Sequence, residues 1–186
     1  RIDRPSGVLA GSTLLIAVGS TTLGEAYSLI DWYVITFLMG IMIITSYLEY
    51  AGFFPLAART IIKAAKTGRQ LLILVILSTA VLSALFVNDT ICLLFTPVLL
   101  AATREMKLNP VPFMLAVAFS SNIGSALTVT GNPQNMYIGI VSGMPYAGFM
   151  LYTLVPVALS LVLAYLVLSR MYKKDLGAIT LEINEE

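Results

Sequence analysis

The chain has 186 residues, of which 58% are hydrophobic and 11% are charged, and its mean hydropathy is +0.90. Soluble domains carry about 25% charged residues, so the composition excludes an ordinary soluble domain and indicates a polytopic membrane protein. The net charge of +1 gives no sign of a nucleic-acid partner. A single cysteine forms no intrachain disulfide, and the lack of histidine removes the commonest metal ligand.

The first two apolar segments are long enough to cross a bilayer. They are predicted at about 7–23 and 32–50, and a link with Glu25 and Asp31 joins them. About 20 mostly apolar residues suffice for one crossing. The chain starts with the charged sequence RIDR and not with Met. We therefore interpret it as a piece of a longer protein, without a cleavable signal peptide.

Residues 53–67, FFPLAARTIIKAAKT, differ from the crossings because they carry regularly spaced basic side chains. Arg59, Lys63 and Lys66 fall at i, i+4 and i+7, which places them on one face of a helix. This pattern predicts an amphipathic helix that lies in the membrane interface. The alternative is a cytoplasmic extension of the second crossing. The basic groups would set the topology and contact lipid headgroups.

Residues 71–103 form an apolar stretch that is interrupted by the sequence NDT at 88–90. The second arm, 90–103, has only 14 residues. Such a helix reaches about 21 Å, whereas the hydrocarbon core is about 30 Å thick. Pro97 weakens a regular helix in this arm further. We therefore predict a re-entrant helical hairpin with its tip near Asp89.

No charged residue occurs between Leu108 and Ser169, which leaves room for two more crossings. They are predicted at about 111–138 and 149–169. The first contains the polar sequence SSNIGSALTVTGNPQN at 120–135, whose glycines and proline disfavour an unbroken helix. We expect a discontinuous helix there, because non-helical backbone at membrane depth persists where its polar groups line a cavity or bind a ligand.

The distribution of basic residues predicts the orientation of the chain. With a hairpin that returns to the side it entered, all eleven Lys and Arg residues lie on one side, and the links 24–31 and 139–148 contain none. The positive-inside rule makes this side the cytoplasm. We therefore expect a multi-pass protein of the cell membrane whose N-terminus and polar tail, 171–186, are cytoplasmic. A hairpin that crossed twice would agree equally well.

Two stretches of sequence resemble a known group of proteins. SALFVNDTICLLFTPVLL at 83–100 and NPVPFMLAVAFSSNIGSALTVTGNPQNMYIG at 109–139 are similar to the ion transporter superfamily of arsenite permeases and citrate transporters. The sequence GNPQN at 131–135 looks most like the branch with the plant silicon efflux transporter and bacterial anion permeases. The resemblance covers about residues 5–170. It implies an all-α integral membrane fold with about four crossings, a re-entrant hairpin and one discontinuous helix, as in one inverted repeat of a two-repeat transporter.

The resemblance also implies which residues form the site, since in this superfamily a hairpin and a broken helix meet at the binding site. The substrate-binding candidates are Asn88, Thr90, Ser121, Asn122, Gly124, Thr128, Thr130, Asn132 and Asn135. The coupling-ion candidates are Ser83, Asn88, Asp89, Gly131 and Asn132.

Asp89 is the only carboxylate far from both predicted membrane faces. An acid at membrane depth is a functional candidate by default, and helix capping is the alternative for Asp89. For Asn122 and Asn132 the alternative is hydrogen bonding to nearby backbone groups. Gly124 and Gly131 would allow close approach or a positive φ.

These features predict an ion-coupled secondary transporter of an inorganic anion or a metalloid oxyacid such as arsenite or silicate. Na+ or H+ would be the coupling ion, with no resident metal or other cofactor. A sodium/proton antiporter, or a citrate or dicarboxylate transporter, is the alternative within the superfamily. Outside transport, the alternative is an assembly module without transport activity. An enzyme acting on lipid is disfavoured because the chain lacks a usual nucleophile–base pair.

Four crossings cannot invert a repeat, because inversion requires an odd number. We therefore interpret residues 1–186 as one membrane domain, part of an N-terminal repeat, and expect one further crossing and the second repeat to lie outside this chain. The expected partners are the lipid bilayer, a small inorganic or carboxylate anion and the complementary second repeat. The resemblance also implies a further partner, a second copy of the protein in a homodimer.

Overall fold

The computed structural model of the protein describes residues 3–176, apart from the side chain of Arg4. Within this range the chain is helical and has no strand. The helices are α1 (Arg4–Ala17), α2 (Leu23–Ser28), α3 (Trp32–Tyr50), α4 (Phe53–Ala64), α5 (Gly68–Leu85), α6 (Asn88–Glu105), α7 (Val111–Ser125), α8 (Pro133–Ser142), α9 (Tyr146–Met171) and α10 (Lys173–Leu176). Three of them, α3, α5 and α9, are long and apolar enough to span a membrane. The predicted all-α membrane fold is thus confirmed.

The chain divides into two compact units, residues 1–36 and 37–186. In the first unit, α1 ends at Ala17, so the predicted crossing was wrong in continuing to residue 23. The chain leaves the helix because Gly19 adopts the left-handed conformation, with φ of 75°. Helix α2 then starts with a capping box between Thr22 and Glu25. The backbone N–H of Thr22 donates to the Glu25 carboxylate and holds its pKa below the usual value.

The second unit is built around an apolar core to which α4, α5, α6, α7, α9 and α10 contribute buried side chains. Helix α4 buries Phe54, Ala58 and Ile62, which lie at i, i+4 and i+8 on one face. This face packs on α5 and α6, and the largest buried side chains of the core include Phe95 of α6 and Phe113 of α7. The basic side chains of the segment, Arg59, Lys63 and Lys66, remain exposed. Helix α4 is therefore amphipathic, and its position in the membrane interface stays a prediction.

Helices α5 and α6 form the hairpin, and Phe86 and Val87 make the turn between them. Helix α6 continues through Pro97 to Glu105 and has 18 residues, or about 27 Å. The expected short arm of 14 residues was therefore wrong, because charged residues extend the helix beyond the apolar stretch. The length of α6 therefore does not distinguish a re-entrant hairpin from two crossings, and the re-entrant hairpin stays a prediction.

The polar sequence near the middle of the chain interrupts the helix as expected. Helix α7 ends at Ser125 and α8 begins at Pro133, so residues 126–132 are not helical. Pro133 occupies the first turn of α8, where its missing N–H is tolerated. Helix α8 ends at Ser142 and is followed by Gly143, whose φ is 62°, and α9 begins after a short turn.

The tail is only partly the free polar segment that the sequence predicts. Residues 173–176 form α10, and Leu176 is buried in the core of the second unit. A Cβ at Gly68 would lie 3.3 Å from the backbone of Leu176, so this turn packs closely on the start of α5. Residues 177–186 and Arg1 lie outside the described part of the chain.

Helices α5 and α7 lie in close contact at Gly124. A Cβ at this position would overlap the backbone of Ala80 in α5. Gly124 has no positive φ, so its role in the fold is close approach and not an unusual backbone conformation. This contact holds the hairpin against the helix that precedes the break.

Substitution of Gly124 by Ala is expected to destabilise the intact protein by about 1–3 kcal/mol, because the added methyl group forces two packed backbones apart. Thermal unfolding of the purified protein in detergent would measure the loss. The matched control is Gly40 in α3, where a Cβ has nothing within 4 Å. There the same substitution should leave stability unchanged or raise it by up to about 1 kcal/mol. Equal effects at both positions would contradict the close approach.

Candidate functional site

Side chains donate to several backbone carbonyl groups in and beside the break between α7 and α8. Asn135 Nδ2 donates to the carbonyl oxygens of Ser125, at 3.1 Å, and Thr128, at 2.8 Å. Thr153 Oγ1, from α9, donates to the carbonyl oxygen of Leu127 at 2.8 Å. Carbonyl groups that leave a helix at membrane depth need such partners, because no water replaces the lost bonds. The break is therefore held in place by side-chain hydrogen bonds.

Asn132 defines the far side of the break. Its Oδ1 accepts a hydrogen bond from the backbone N–H of Asn135 at 2.8 Å, which caps α8. Its Nδ2 donates to Ser125 Oγ at 3.2 Å and to the Ser125 carbonyl oxygen at 3.4 Å. A single amide thus joins the end of α7 to the start of α8. Gly131 lies beside it because a Cβ there would overlap the backbone of Ser125.

The hairpin tip meets the break through Asn88. The backbone N–H of Asn88 donates to the carbonyl oxygen of Gly131 at 3.3 Å. The Asn88 side chain donates from Nδ2 to Oδ1 of Asn122 at 3.2 Å. These residues come from separate parts of the chain, and one residue of the tip contacts both sides of the interruption. The structure therefore brings together the two polar motifs that the sequence analysis selected.

Hydrogen bonds to the C-terminal end of α5 also hold the break in place. Ser83 Oγ donates to the Ser121 carbonyl oxygen at 2.6 Å. Thr128 Oγ1 donates to the carbonyl oxygen of Ala84, and Thr130 Oγ1 donates to the same oxygen at 3.3 Å. Ser83, Ser121 and Thr128 are buried. Their hydroxyl or carbonyl groups are thus engaged in holding the hairpin against the break.

Asp89 lies in the first turn of α6 and is exposed. The N-cap position of α6 is Val87, and no side-chain cap hydrogen bond forms there. The capping alternative for Asp89 therefore lacks the hydrogen bond that it requires. A carboxylate in this position is stabilised by the partial positive charge of the helix N-terminus, and it remains accessible to a ligand.

The candidate residues separate into those that hold the break together and those near the hairpin tip, and the two groups overlap in burial. The braces, Ser83, Ser121, Gly124, Thr128 and Gly131, are buried, and Asn132 and Asn135 are half-buried and hydrogen bonded within the break. Asn88 and Thr90 are half-buried, and Asp89 and Asn122 are exposed. Thr130 is half-buried and contacts Tyr146. The second group presents amides, a hydroxyl and one carboxylate at the surface of this chain.

Three contributors to the site were missed by sequence reasoning. Thr153 and Tyr146 belong to α9, and Tyr146 OH lies 3.1 Å from Thr130 Oγ1. The third is the carbonyl oxygen of Ala84, which no side-chain pattern reveals. The hydroxyl of Thr153, within a predicted apolar crossing, is a signal that could have identified it. Tyr146 falls in the predicted link 139–148, to which the sequence analysis gave no role in the site.

The chemistry available at the site is that of neutral hydrogen-bonding groups with a single acid. Across the described residues, 3–176, no group of three or more His, Cys, Asp and Glu side chains is placed to hold a metal ion. Amide, hydroxyl and carbonyl groups can bind a neutral oxyacid or, together with a carboxylate, an alkali cation.

Comparison with known proteins identifies relatives over nearly the whole chain. The profile of a family described as citrate transporter matches residues 1–181. A Dictyostelium discoideum protein named as a transporter, arsB, is 31% identical over 184 residues, which is 99% of this chain. The silicon efflux transporter LSI3 of Oryza sativa subsp. japonica is 37% identical over 94% of this chain. The inner membrane protein YbiR of Escherichia coli K12 is 32% identical over 75%. The matches cover 33%, 36% and 37% of these relatives, so the chain spans about a third of their length.

Substitution of Asn135 by Leu is expected to lower the stability of the break by about 1–3 kcal/mol, because the carbonyl groups of Ser125 and Thr128 each lose their shorter hydrogen bond and keep only a longer one. Faster hydrogen–deuterium exchange across residues 126–132 of the intact protein would report the loss. Gln134 is the matched control, since it is the adjacent amide and is exposed. Its change to Leu should leave the exchange of the break unaltered. Equal protection in both variants would contradict the bracing role.

Proposed function

The chain belongs to the citrate transporter family, and from this membership we propose that it forms one half of an ion-coupled secondary transporter. The substrate site would lie where the hairpin tip meets the break. The observation that carries the proposal is the double contact of Asn88 with Asn122 and with Gly131. Family membership also favours transport over the alternative of an enzyme acting on lipid.

The depth of the tip supports a site inside the bilayer. Helix α7 has 15 residues, or about 22 Å, so a chain that enters at Val111 has not crossed a core of about 30 Å when the break begins. Since Asn88 contacts the break, the hairpin tip would lie at the same depth. We therefore propose that α5 and α6 form a re-entrant hairpin, with Arg104 and the basic end of α9 on the cytoplasmic side.

The substrate that fits these groups is a small metalloid oxyacid. Arsenous and silicic acids are neutral near pH 7 and carry several hydroxyl groups, which amides and hydroxyls can bind without a fixed positive charge. Asn88, Thr90 and Asn122 are the contacts we propose for it, because they lie at the surface of the site. The rice relative, a silicon efflux transporter, supports this choice. Citrate, in the family's name, is the alternative substrate.

The coupling ion would bind near Asp89. A carboxylate that is exposed from this chain, yet placed at the proposed membrane depth, is costly unless a cation, a proton or another part of the protein compensates it. Na+ or H+ would fill this role, with carbonyl oxygens of the break as further ligands. Ser83 and Asn132 would act indirectly, since both are engaged in holding the tip and the break together.

The open face of the site requires a cover. Exposed polar groups at membrane depth would contact hydrocarbon unless protein covers them. We propose that the complementary second repeat supplies this cover and the remaining ligands, and that the assembled transporter forms a homodimer. The chain alone would then insert without transporting. Expression with and without its complementary half, followed by uptake measurements, would separate a transporter half from a scaffold.

Substitution of Asp89 by Asn in the intact transporter is expected to reduce ion-coupled uptake by about tenfold or more, or ~1.4 kcal/mol, and to abolish its dependence on Na+ or pH. Uptake of arsenite, silicate and citrate into vesicles, with each ion gradient in turn, would measure both effects. The control is Glu49→Gln, since Glu49 is an exposed acid in the last turn of α3. An unchanged rate and ion dependence in the Asp89 variant would refute the coupling role. Uptake of citrate alone would replace the oxyacid proposal.

A further inference from the structure

A second polar feature of the unit 37–186 lies away from the hairpin tip. Between α4 and the C-terminal half of α6 there is a cleft of about 510 Å³. Arg59 and Lys63 line it from α4, and Glu105 lines it from α6. The proposed transport site uses none of these residues.

The two cations of the cleft are arranged to share one anionic group. Arg59 and Lys63 are four residues apart, so their side chains start about 5–6 Å from each other on the same helix face. Both are exposed. With Glu105 the lining carries a net charge of +1, which a single negative charge would neutralise. A guanidinium and an ammonium side by side are a common arrangement for binding a phosphate group.

The remaining wall of the cleft is apolar, with Pro55 and Ile62 from α4 and the rest from α6. Pro97, Val98 and Ala101 lie along it, one helical turn or more from Glu105. Pro97 lacks an N–H and stands inside the helix, where proline commonly bends the axis. A ligand that fills the whole cleft would therefore join an anionic head to an apolar chain.

The position of the cleft matches the headgroup region of a bilayer. Helix α4 connects the ends of α3 and α5, which are both long and apolar enough to span a membrane. A helix between two such ends lies close to the membrane surface, and its buried face already packs on the core through Phe54, Ala58 and Ile62. Its basic face is thus at the level where phosphate groups of lipids are concentrated.

We propose that this cleft binds one anionic phospholipid. Arg59 and Lys63 hold the phosphate, and an acyl chain lies along Pro97, Val98 and Ala101. Glu105 restricts the site to a headgroup with one negative charge, because a second charge would face the carboxylate. Free phosphate shares the oxyanion but makes no use of the apolar wall.

The test uses the intact protein, purified in detergent and titrated with phosphatidylglycerol or phosphatidylcholine, with retained lipid counted by native mass spectrometry. Loss of one basic residue is expected to weaken phosphatidylglycerol binding about fivefold, and Arg59→Ala with Lys63→Ala about 25-fold. Phosphatidylcholine should bind more weakly than phosphatidylglycerol, and inorganic phosphate should not displace the bound lipid. The matched control is Arg69→Ala, because Arg69 is basic and exposed but does not line the cleft. It should retain the lipid.

Three results would overturn the proposal. Equal loss of lipid with Arg69→Ala would show diffuse attraction to the basic surface. Equal binding of phosphatidylcholine would remove the role of charge, and displacement by inorganic phosphate would remove the role of the acyl chain. Should the double variant fail to fold, Glu105→Gln decides the matter. Tighter retention of phosphatidylglycerol supports the site, and unchanged retention refutes it.

Discussion

The structure depends on satisfying the backbone groups that are released between α7 and α8. Residues 126–132 have left the helix in the middle of a long charge-free segment, where an unpaired carbonyl group costs several kcal/mol. The chain meets this requirement with side chains from three directions. Asn135, in the first turn of α8, donates to a carbonyl oxygen of the break, and Thr153 donates to another from α9. Thr128, in the break itself, donates to a carbonyl oxygen at the end of α5. The packing of the hairpin, α7 and α9 therefore follows from one local interruption.

This requirement divides the polar residues between two tasks. Thr128 and Asn135 point their donors at backbone carbonyl groups, and the small residues Gly124 and Gly131 let the backbones come close. These residues hold the backbone around the site in its conformation. The groups at the tip, Asn88 and Asp89, have one side free for a ligand or for another part of the protein. If the proposed site is correct, its binding groups are held on a rigid support, which is what selective recognition of a small solute requires.

The extent of the match to known proteins agrees with a site that is open on one side. The chain covers about a third of the relatives named above, so most of each relative has no counterpart here. An exposed acid and amide at the depth of a helix break would be expensive in a complete membrane protein. In half of a site they are the groups that a second set of helix ends would meet. The cleft proposed to bind an anionic lipid, by contrast, is formed wholly by residues of α4 and α6.

The sequence by itself determined the membrane class, the all-α fold, the position of α3 and the interruption before Pro133. These features depend on hydropathy, helix propensity and proline, which act over a few neighbouring residues. The ends of α1 and α6 were predicted wrongly, because Gly19 ended one apolar segment early and charged residues extended the other beyond its apolar part. Only the tertiary structure decided that Asn88 contacts Asn122 and Gly131, and that Thr128 reaches Ala84. Those contacts join residues more than 30 positions apart, and their geometry is set by how α5 packs on α7, which no local pattern encodes.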